Sequence, residues 1–192
     1  KGFARPNLAL RVHEVKDKKE RDAWVDDALA EALGSPGKGS GAVIIYSPTR
    51  RNTEAENERL TKKGWHTLPY HAGLEAEVRE STHSAFSSGE LEVVVATNAF
   101  GMGVDKADIR TIVHFDVPGT IEAYYQEIGR AGRDGKPATT ILLLRNADRQ
   151  LQEFFIQNAH PPASEVHRVY NVLRNQPENP VWWDAAALGH HS

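Results

Sequence analysis

The sequence predicts an α/β fold, with a parallel sheet covered by helices on both faces and a small helical extension after it. Short apolar runs rich in Val and Ile alternate along the chain with longer segments of helical period. Several of these runs are apolar at successive positions, as expected of strands buried on both faces. Because parallel strands need crossover connections, a repeated strand–helix order is typical of a parallel sheet.

Six strands are predicted in order along the chain. The first two are rich in β-branched residues, and the others are short apolar runs between turn residues. Right-handed crossovers place the carboxyl ends of all such strands at one edge of the sheet, where ligand sites of these folds lie. The predicted strands are 8–15, 41–47, 67–72, 91–97, 111–117 and 139–145.

Amphipathic segments connect these strands. The Gly- and Ser-rich connector 34–41 ends the first helix, Gly64 and Gly89 stand where later helices should end, and Thr120 is a predicted N-cap. The predicted helices are 17–33, 51–63, 75–87, 120–133 and 147–158.

A change of pattern after the last of these helices marks a second region. Pro161 and Pro162 end the α/β alternation, and one more helix is predicted from Ser164 to about Asn175. We therefore divide the chain into an α/β domain, 1–158, and a helical extension, 159–192.

Composition excludes several classes of protein. The 192 residues include no cysteine, which excludes thiol catalysis, disulfide frameworks and thiolate zinc sites and favours a reducing compartment. No apolar run reaches 18 residues, so no membrane span is expected. The only methionine is Met102, so we expect the chain to be a fragment.

The net charge of −3 does not match a simple electrostatic nucleic-acid binder. Residues 17–33 alone hold six acidic and three basic residues, so the rest of the chain is neutral overall. A basic groove elsewhere in the chain is compatible with this distribution.

The chain carries no complete nucleotide-hydrolysis site of its own. The connector 34–41 is not a phosphate-binding loop, because the required Lys would fall on Gly39 and because the connector follows a helix. No acidic Mg²⁺ box follows a strand, and the nine histidines show no ligand spacing, so no metal site is expected.

The segment 124–135, YYQEIGRAGRDG, carries the strongest chemical signal. On a helix, Gln126, Arg130 and Arg133 would share one face. Gly129 and Gly132 would each cost about 1 kcal/mol relative to Ala in a helix interior. Glycines retained at this cost indicate a segment shaped for an anion and for close approach of the backbone. The arginines suit that purpose, since arginine stabilises transferring phosphoryl groups. The alternative is a frayed helix end with solvated charges.

The segment 93–106 runs from a buried strand into a loop with two glycines. Thr97 has a hydroxyl and a backbone N–H for a phosphate of nucleic acid. Gly101 and Gly103 permit close approach or a positive φ. Asp105 is expected to accept a ribose hydroxyl or to pair with an arginine of 124–135. The alternative is a routine turn between a strand and a helix.

Two further strand ends carry weaker signals. Ser47 and Thr49 are suited to cap the next helix, whose N-terminus would attract a phosphate, and Arg50 would reinforce that attraction. Tyr70 and His71 end another strand and are expected to face a DNA strand, although either is also compatible with a structural role.

Taken together and in order, these segments resemble the second motor lobe of superfamily 2 helicases, and they are most similar to the RecQ family of DNA helicases. The resemblance covers about residues 3–158, and it includes Arg5-Pro6-Asn7-Leu8, which resembles the RecQ junction between two lobes. The stretches that carry it are 41–50, 70–74, 93–118 and 124–135.

The resemblance implies a RecA-like lobe of a motor that couples ATP hydrolysis to 3′–5′ translocation on single-stranded DNA and unwinds duplex DNA. It implies that Arg130 and Arg133 act as arginine fingers, with Gln126 in the same motif, and that Asp105 and Gly103 lie near ATP. ATP and Mg²⁺ would be bound mainly by an N-terminal RecA-like lobe, so this chain alone is expected to be inactive. The residues implied to lie near DNA are Ser47, Thr49, Arg50, His71, Thr97 and Asn98.

The expected partners are single-stranded and duplex DNA, the N-terminal lobe of the same protein, and DNA-repair proteins or topoisomerases, with no membrane. The expected location is the bacterial cytoplasm with its nucleoid, or the nucleus. The sequence departs from RecQ proteins in lacking the four cysteines of their zinc subdomain, so no zinc is expected. Residues 177–188 resemble the start of a winged helix, and Trp182 and Trp183 would stack on DNA or pack against the lobe. A non-hydrolytic docking module and an RNA-directed motor lobe are the alternative functions.

Overall fold

The computed structural model describes residues 5–101, 103–145 and 163–175. The chain divides into two compact units, Lys1–Arg149 and Gln150–Ser192. The helix predicted at 147–158 and the segment 177–188 with its two tryptophans lie outside the described residues. The domain boundary after residue 158 stays a prediction.

The first unit contains a six-stranded, all-parallel sheet in the order β1-β6-β5-β2-β4-β3. This arrangement confirms the α/β prediction, and each predicted strand matches an observed one within three residues at either end. The strands are β1 (Leu8–Glu14), β2 (Ala42–Tyr46), β3 (Thr67–Tyr70), β4 (Val93–Ala96), β5 (Ile109–His114) and β6 (Ala138–Leu144).

Four helices connect the strands of the first unit, and a fifth is described in the second. Thr49 and Thr120 cap their helices as predicted, each accepting a hydrogen bond from the backbone N–H three residues further on. In the described part of the chain, no helix is long and apolar enough to cross a membrane. The helices are α1 (Lys18–Leu33), α2 (Arg50–Lys62), α3 (Ala76–Ser88), α4 (Ile121–Ile128) and α5 (Ala163–Arg174).

Both faces are covered at the centre of the sheet, where β2 and β4 are buried throughout, whereas the edge strand β1 is largely exposed. Along β2, Val43 and Ile45 pack in one core cluster with residues of α1 and α2. Ile44 and Tyr46 point the other way, into a second cluster that contains Phe86 of α3. The strict alternation of a strand explains why one continuous apolar run supplies two cores.

The fourth helix is shorter than predicted. α4 ends at Ile128 with Gly129 as its C-cap, and residues 129–135 form consecutive turns. Gly132 adopts a φ of +58°, and its N–H donates to the carbonyl of Ile109 in β5 rather than to a helical acceptor. The left-handed glycine and its tertiary hydrogen bond therefore stop the helix from continuing.

The predicted helix over 120–133 is therefore wrong in its last five residues. Arg130 and Arg133 do not share a helical face with Gln126. The helix-interior penalty expected for Gly129 and Gly132 does not arise, because both lie outside the helix. We call residues 129–135 the arginine segment.

Candidate functional site

The carboxyl ends of four neighbouring strands lie at one edge of the sheet, in the order β3, β4, β2, β5. Backbone hydrogen bonds continue just past these ends. The Ser47 N–H donates to the carbonyl of Ala96 (2.8 Å), and the Thr97 N–H donates to the carbonyl of Tyr70 (3.0 Å). The segments that follow β2, β3 and β4 are therefore neighbours, as the sequence predicts for a parallel sheet.

Arg50 packs closely against the loop after β3, because Gly73 in that loop has no side chain. Arg50 is exposed at the start of α2, beside its cap Thr49. A Cβ added to Gly73 would lie 2.6 Å from Nη1 of Arg50, so the guanidinium rests directly on the glycine backbone. Two motifs that are 23 residues apart in the sequence thus form one basic surface at the N-terminus of α2.

Ser47 and His71 are buried, so the expectation that Ser47 caps α2 is wrong, and the implied position of both residues near DNA stays a prediction. Ser47 is 5% exposed and does not cap α2, and its hydroxyl has no hydrogen-bond partner in the described part of the chain. His71 is 3% exposed, and its Nε2 lies 3.2 Å from a carboxylate oxygen of Glu54 in α2. Both side chains therefore lie within the packed interior next to α2 and not on its surface.

Thr97 and Asn98 begin the loop after β4, which we call the glycine loop (residues 97–105). Because the Thr97 N–H already bonds to Tyr70, the expectation that it donates to a phosphate is wrong. The Thr97 side chain is half-buried, whereas Asn98 is exposed. Asn98 is therefore the more accessible polar group of the two.

Arg130 lies against the glycine loop. Its Nη1 donates to the carbonyl of Gly101, and a Cβ added to Gly101 would lie 2.5 Å from its Nη2. Only a glycine at 101 leaves room for the guanidinium in this position. The Nε of Arg130 is buried without a hydrogen-bond partner in the described part of the chain.

Arg133 contacts the far end of the same loop. Its Nη1 lies 3.0 Å from Oδ1 of Asp105 and 3.3 Å from the carbonyl of Val104. The side chains of Arg133 and Asp105 are 38% and 90% exposed. One of the two expectations for Asp105, pairing with an arginine, is confirmed. Because an exposed ion pair contributes little stability, a stronger anion can displace Asp105 from Arg133.

The described structure shows no contact between Gln126 or Gly103 and the two arginines. Gln126 is exposed on α4. Gly103 has a φ of +82°, and an added Cβ would meet no atom within 4 Å. The positive φ of the turn, and not a close contact, therefore favours glycine at this position. In the described part of the chain no cluster of His, Asp or Glu could hold a metal ion.

Beneath Arg130 lies a buried polar group that the sequence did not point to. Tyr46 and His114 are register partners at the ends of β2 and β5, and their rings stack 5.2 Å apart. Nε2 of His114 lies 2.8 Å from a carboxylate oxygen of Glu127 in α4. The Tyr46 hydroxyl donates to the carbonyl of Phe100 (3.1 Å). No sequence signal of this kind pointed to His114, which lies in the middle of the predicted strand 111–117 and at the end of the observed β5.

Burial raises the pKa of the Tyr46 phenol well above its ordinary value, although the positive charge of Arg130 works in the opposite direction. The phenol therefore remains a neutral donor that fixes the backbone just before Gly101. Through this backbone, the buried group sets the position of the surface on which Arg130 rests.

Comparison with known families identifies the lobe. The family model described as the helicase conserved C-terminal domain matches residues 11–135. This chain belongs to that family. The matched range contains the glycine loop and the whole arginine segment.

Curated relatives of this helicase domain support the resemblance to RecQ proteins. The chain is 45% identical over 175 residues to the probable ATP-dependent DNA helicase RecS of Bacillus subtilis, covering 91% of this chain and 34% of that protein. It is 44% identical over 166 residues to the ATP-dependent DNA helicase RecQ of Pasteurella multocida, covering 85% of this chain and 25% of that protein. The chain thus spans about a third or less of the length of these relatives.

A solved structure shows the same fold. The RNA-helicase Prp28 from Chaetomium thermophilum bound to ADP superposes with a TM-score of 0.62 and 27% identity, covering 82% of this chain and 38% of that chain. The predicted RecA-like fold and the predicted resemblance to RecQ helicases are both confirmed.

Replacing Tyr46 with Phe should lower the free energy of unfolding by about 1–2 kcal/mol, because the buried carbonyl of Phe100 loses its donor. Urea denaturation at neutral pH, followed by circular dichroism, measures this change. Tyr170→Phe is the matched control, since Tyr170 is 56% exposed and should change stability by less than about 0.5 kcal/mol.

The same variant should alter the dependence of stability on pH. The raised pKa in the folded state means that the unfolded chain releases this proton first, so the wild type loses stability as the pH rises above about 10. Tyr46→Phe should lose less stability over that range. An identical pH dependence in both proteins would show that folding does not hold the phenol protonated.

Proposed function

We propose that this chain is the second motor lobe of an ATP-dependent 3′–5′ DNA helicase that unwinds duplex DNA as it translocates on single-stranded DNA. The observation that carries the proposal is the pair of arginines held along the glycine loop, Arg130 half-buried and Arg133 exposed. Membership of the helicase C-terminal domain family and relatives named as DNA helicases support it.

The arginine segment fits the triphosphate of ATP. When bound, ATP supplies the phosphoryl group whose transfer to water releases energy for movement. Arg133 breaks its ion pair with Asp105 and neutralises negative charge on the phosphates. Arg130, held against the glycine loop, donates further hydrogen bonds to the phosphates from its planar guanidinium. The freed carboxylate of Asp105 then accepts a hydrogen bond from a ribose hydroxyl.

The rest of the ATP site is proposed to lie on an N-terminal RecA-like lobe. The described residues offer cations and glycines but no carboxylate cluster for Mg²⁺, so Mg²⁺ and the phosphate-binding loop are assigned to that other lobe. No zinc is assigned to this chain. The two lobes together form the ATP hydrolase.

The DNA contact is proposed to lie at the strand ends, at Thr49, Arg50 and Asn98, with the Thr97 hydroxyl beside them. The N-terminus of α2 and the Arg50 charge attract a backbone phosphate. Ser47 and His71 are buried next to this surface, and their backbone is proposed to lie near the DNA.

Duplex and single-stranded DNA are the proposed substrates because the relatives are named DNA helicases. The similar Prp28 structure is named an RNA helicase, so RNA is the alternative to be tested. Repair proteins or topoisomerases as partners, and a location in the bacterial cytoplasm or the nucleus, belong to the proposal through the family resemblance alone.

Replacing Arg130 or Arg133 with Ala in the full-length protein should lower kcat for ATP hydrolysis by about 10³–10⁵-fold, because transition-state charge is no longer neutralised. ATP affinity should change little, because the phosphate-binding loop remains. Steady-state hydrolysis and equilibrium binding of a fluorescent ATP analogue measure the two quantities. Arg11→Ala is the matched control, since Arg11 also forms an exposed ion pair, with Glu31. Wild-type turnover in Arg130→Ala and Arg133→Ala would remove the assigned role.

Gly73→Ala should weaken binding of single-stranded DNA, because the new Cβ would displace the Arg50 guanidinium. Its effect should be smaller than that of Arg50→Ala, because Gly73→Ala moves the guanidinium but keeps its charge. Arg50→Ala removes the charge and should lower the salt slope of log K by about 1. Fluorescence anisotropy of a labelled oligonucleotide over a salt series measures both quantities.

Gly119→Ala is the control for that experiment, because Gly119 is exposed and its added Cβ would meet no atom within 4 Å. An unchanged salt slope in Arg50→Ala would contradict the proposed DNA contact. Tighter binding of an RNA of the same sequence would favour the RNA-directed motor.

A further inference from the structure

The arginine segment needs external support, because it contains no helix. After α4 ends at Ile128, residues 129–135 form turns whose carbonyls are not used in a helical ladder. β5 and the turn before it bind one side of this segment, where the N–H of Gly132 donates to the carbonyl of Ile109 and the N–H of Asp134 donates to the carbonyl of Ala107. The carbonyls of the segment are bound by a different part of the chain.

The residues just before β1 supply that second support. Nη2 of Arg5 donates to the carbonyls of Ala131 (2.8 Å) and Gly132 (2.9 Å), and its Nη1 lies 3.4 Å from the carbonyl of Gly129. A guanidinium suits this task because its donors are fixed in one plane and stay charged. One side chain thus binds three carbonyls of the arginine segment.

Asn7 binds the same segment further along. Its Nδ2 donates to the carbonyls of Gly132 (2.8 Å) and Lys136 (2.9 Å). Its backbone carbonyl accepts a hydrogen bond from the N–H of Ala138 (2.9 Å). A Cβ added to Gly132 would lie 2.6 Å from this Nδ2. The glycine between the two arginines therefore gives Asn7 its access to the backbone.

We propose that Arg5 and Asn7 are positioning residues for ATP hydrolysis, holding the backbone between Arg130 and Arg133 so that both guanidinium groups meet the phosphates together. The inference rests on the proposed function. The carbonyls of Ala131 and Gly132 lie between the two arginines in the chain, so a shift of this backbone moves both side chains. A misplacement of about 1 Å in a catalytic group is enough to lower a rate about 10²-fold.

The test uses the full-length protein with Arg5→Ala and Asn7→Asp. The second change keeps the shape of the side chain but replaces the donor with an acceptor that faces two carbonyls. Both variants should lower kcat at least about 10-fold, with the KM for ATP within about threefold of the wild type. The controls are Arg11→Ala on β1, and Asn57→Asp, whose Oδ1 accepts from Thr67 and needs no donor.

Two further measurements distinguish positioning from stability. Arg5→Lys retains a charged donor, so its kcat should lie between those of Arg5→Ala and the wild type. If Arg5→Ala does not fold, Arg5→Lys provides the test in its place. In the double variant Arg5→Ala/Arg133→Lys, kcat should fall no further than in the more impaired single variant, because Arg5 acts through the arginine segment. The inference would be overturned if the fold-losses in kcat of the two single variants multiplied in the double variant. It would also be overturned if kcat fell in proportion to melting temperature across all variants.

The outcomes also separate this inference from the proposed function. If Arg133→Ala keeps wild-type turnover, the proposed function fails and the positioning role fails with it. If Arg133→Ala is impaired but Arg5→Ala and Asn7→Asp behave like Arg11→Ala, the function stands and the positioning role is wrong.

Discussion

The site depends on the contact between two arginines and the backbone of the glycine loop. Arg130 rests on Gly101 and donates to its carbonyl, and Arg133 reaches the carbonyl of Val104 and the carboxylate of Asp105. Neither arginine is held in a strong buried ion pair. Both therefore keep their charge available for an anion, while the loop limits where that charge can lie.

The fold makes this contact possible by bringing distant segments to one place. The glycine loop leaves the end of β4, while the arginine segment connects α4 to β6 and is hydrogen-bonded to the residues before β1. Beneath them, Tyr46, His114 and Glu127 form a buried polar group between the strand ends and α4. The position of each arginine thus depends on side chains from across the first unit.

Much of this arrangement was predictable from sequence, and the exceptions have physical reasons. Apolar or β-branched runs located all six strands, and the pattern is strongest in β2 and β4, which are buried throughout. The end of α4 was missed because Gln126, Arg130 and Arg133 have helical spacing, whereas a left-handed Gly132 bonded to β5 ended the helix. The burial of Ser47 and His71, and the role of Arg5 on carbonyls more than 120 residues away, depend on tertiary contacts that no local pattern records.

The most direct test of the central claim is a structure of the full-length protein with ADP and aluminium fluoride, a mimic of the transferring phosphoryl group. The account predicts guanidinium nitrogens of Arg130 and Arg133 within about 3.2 Å of the fluoride ligands or phosphate oxygens, with Asp105 released. Both guanidinium groups still bound to the glycine loop, beyond hydrogen-bond reach of the nucleotide, would contradict it.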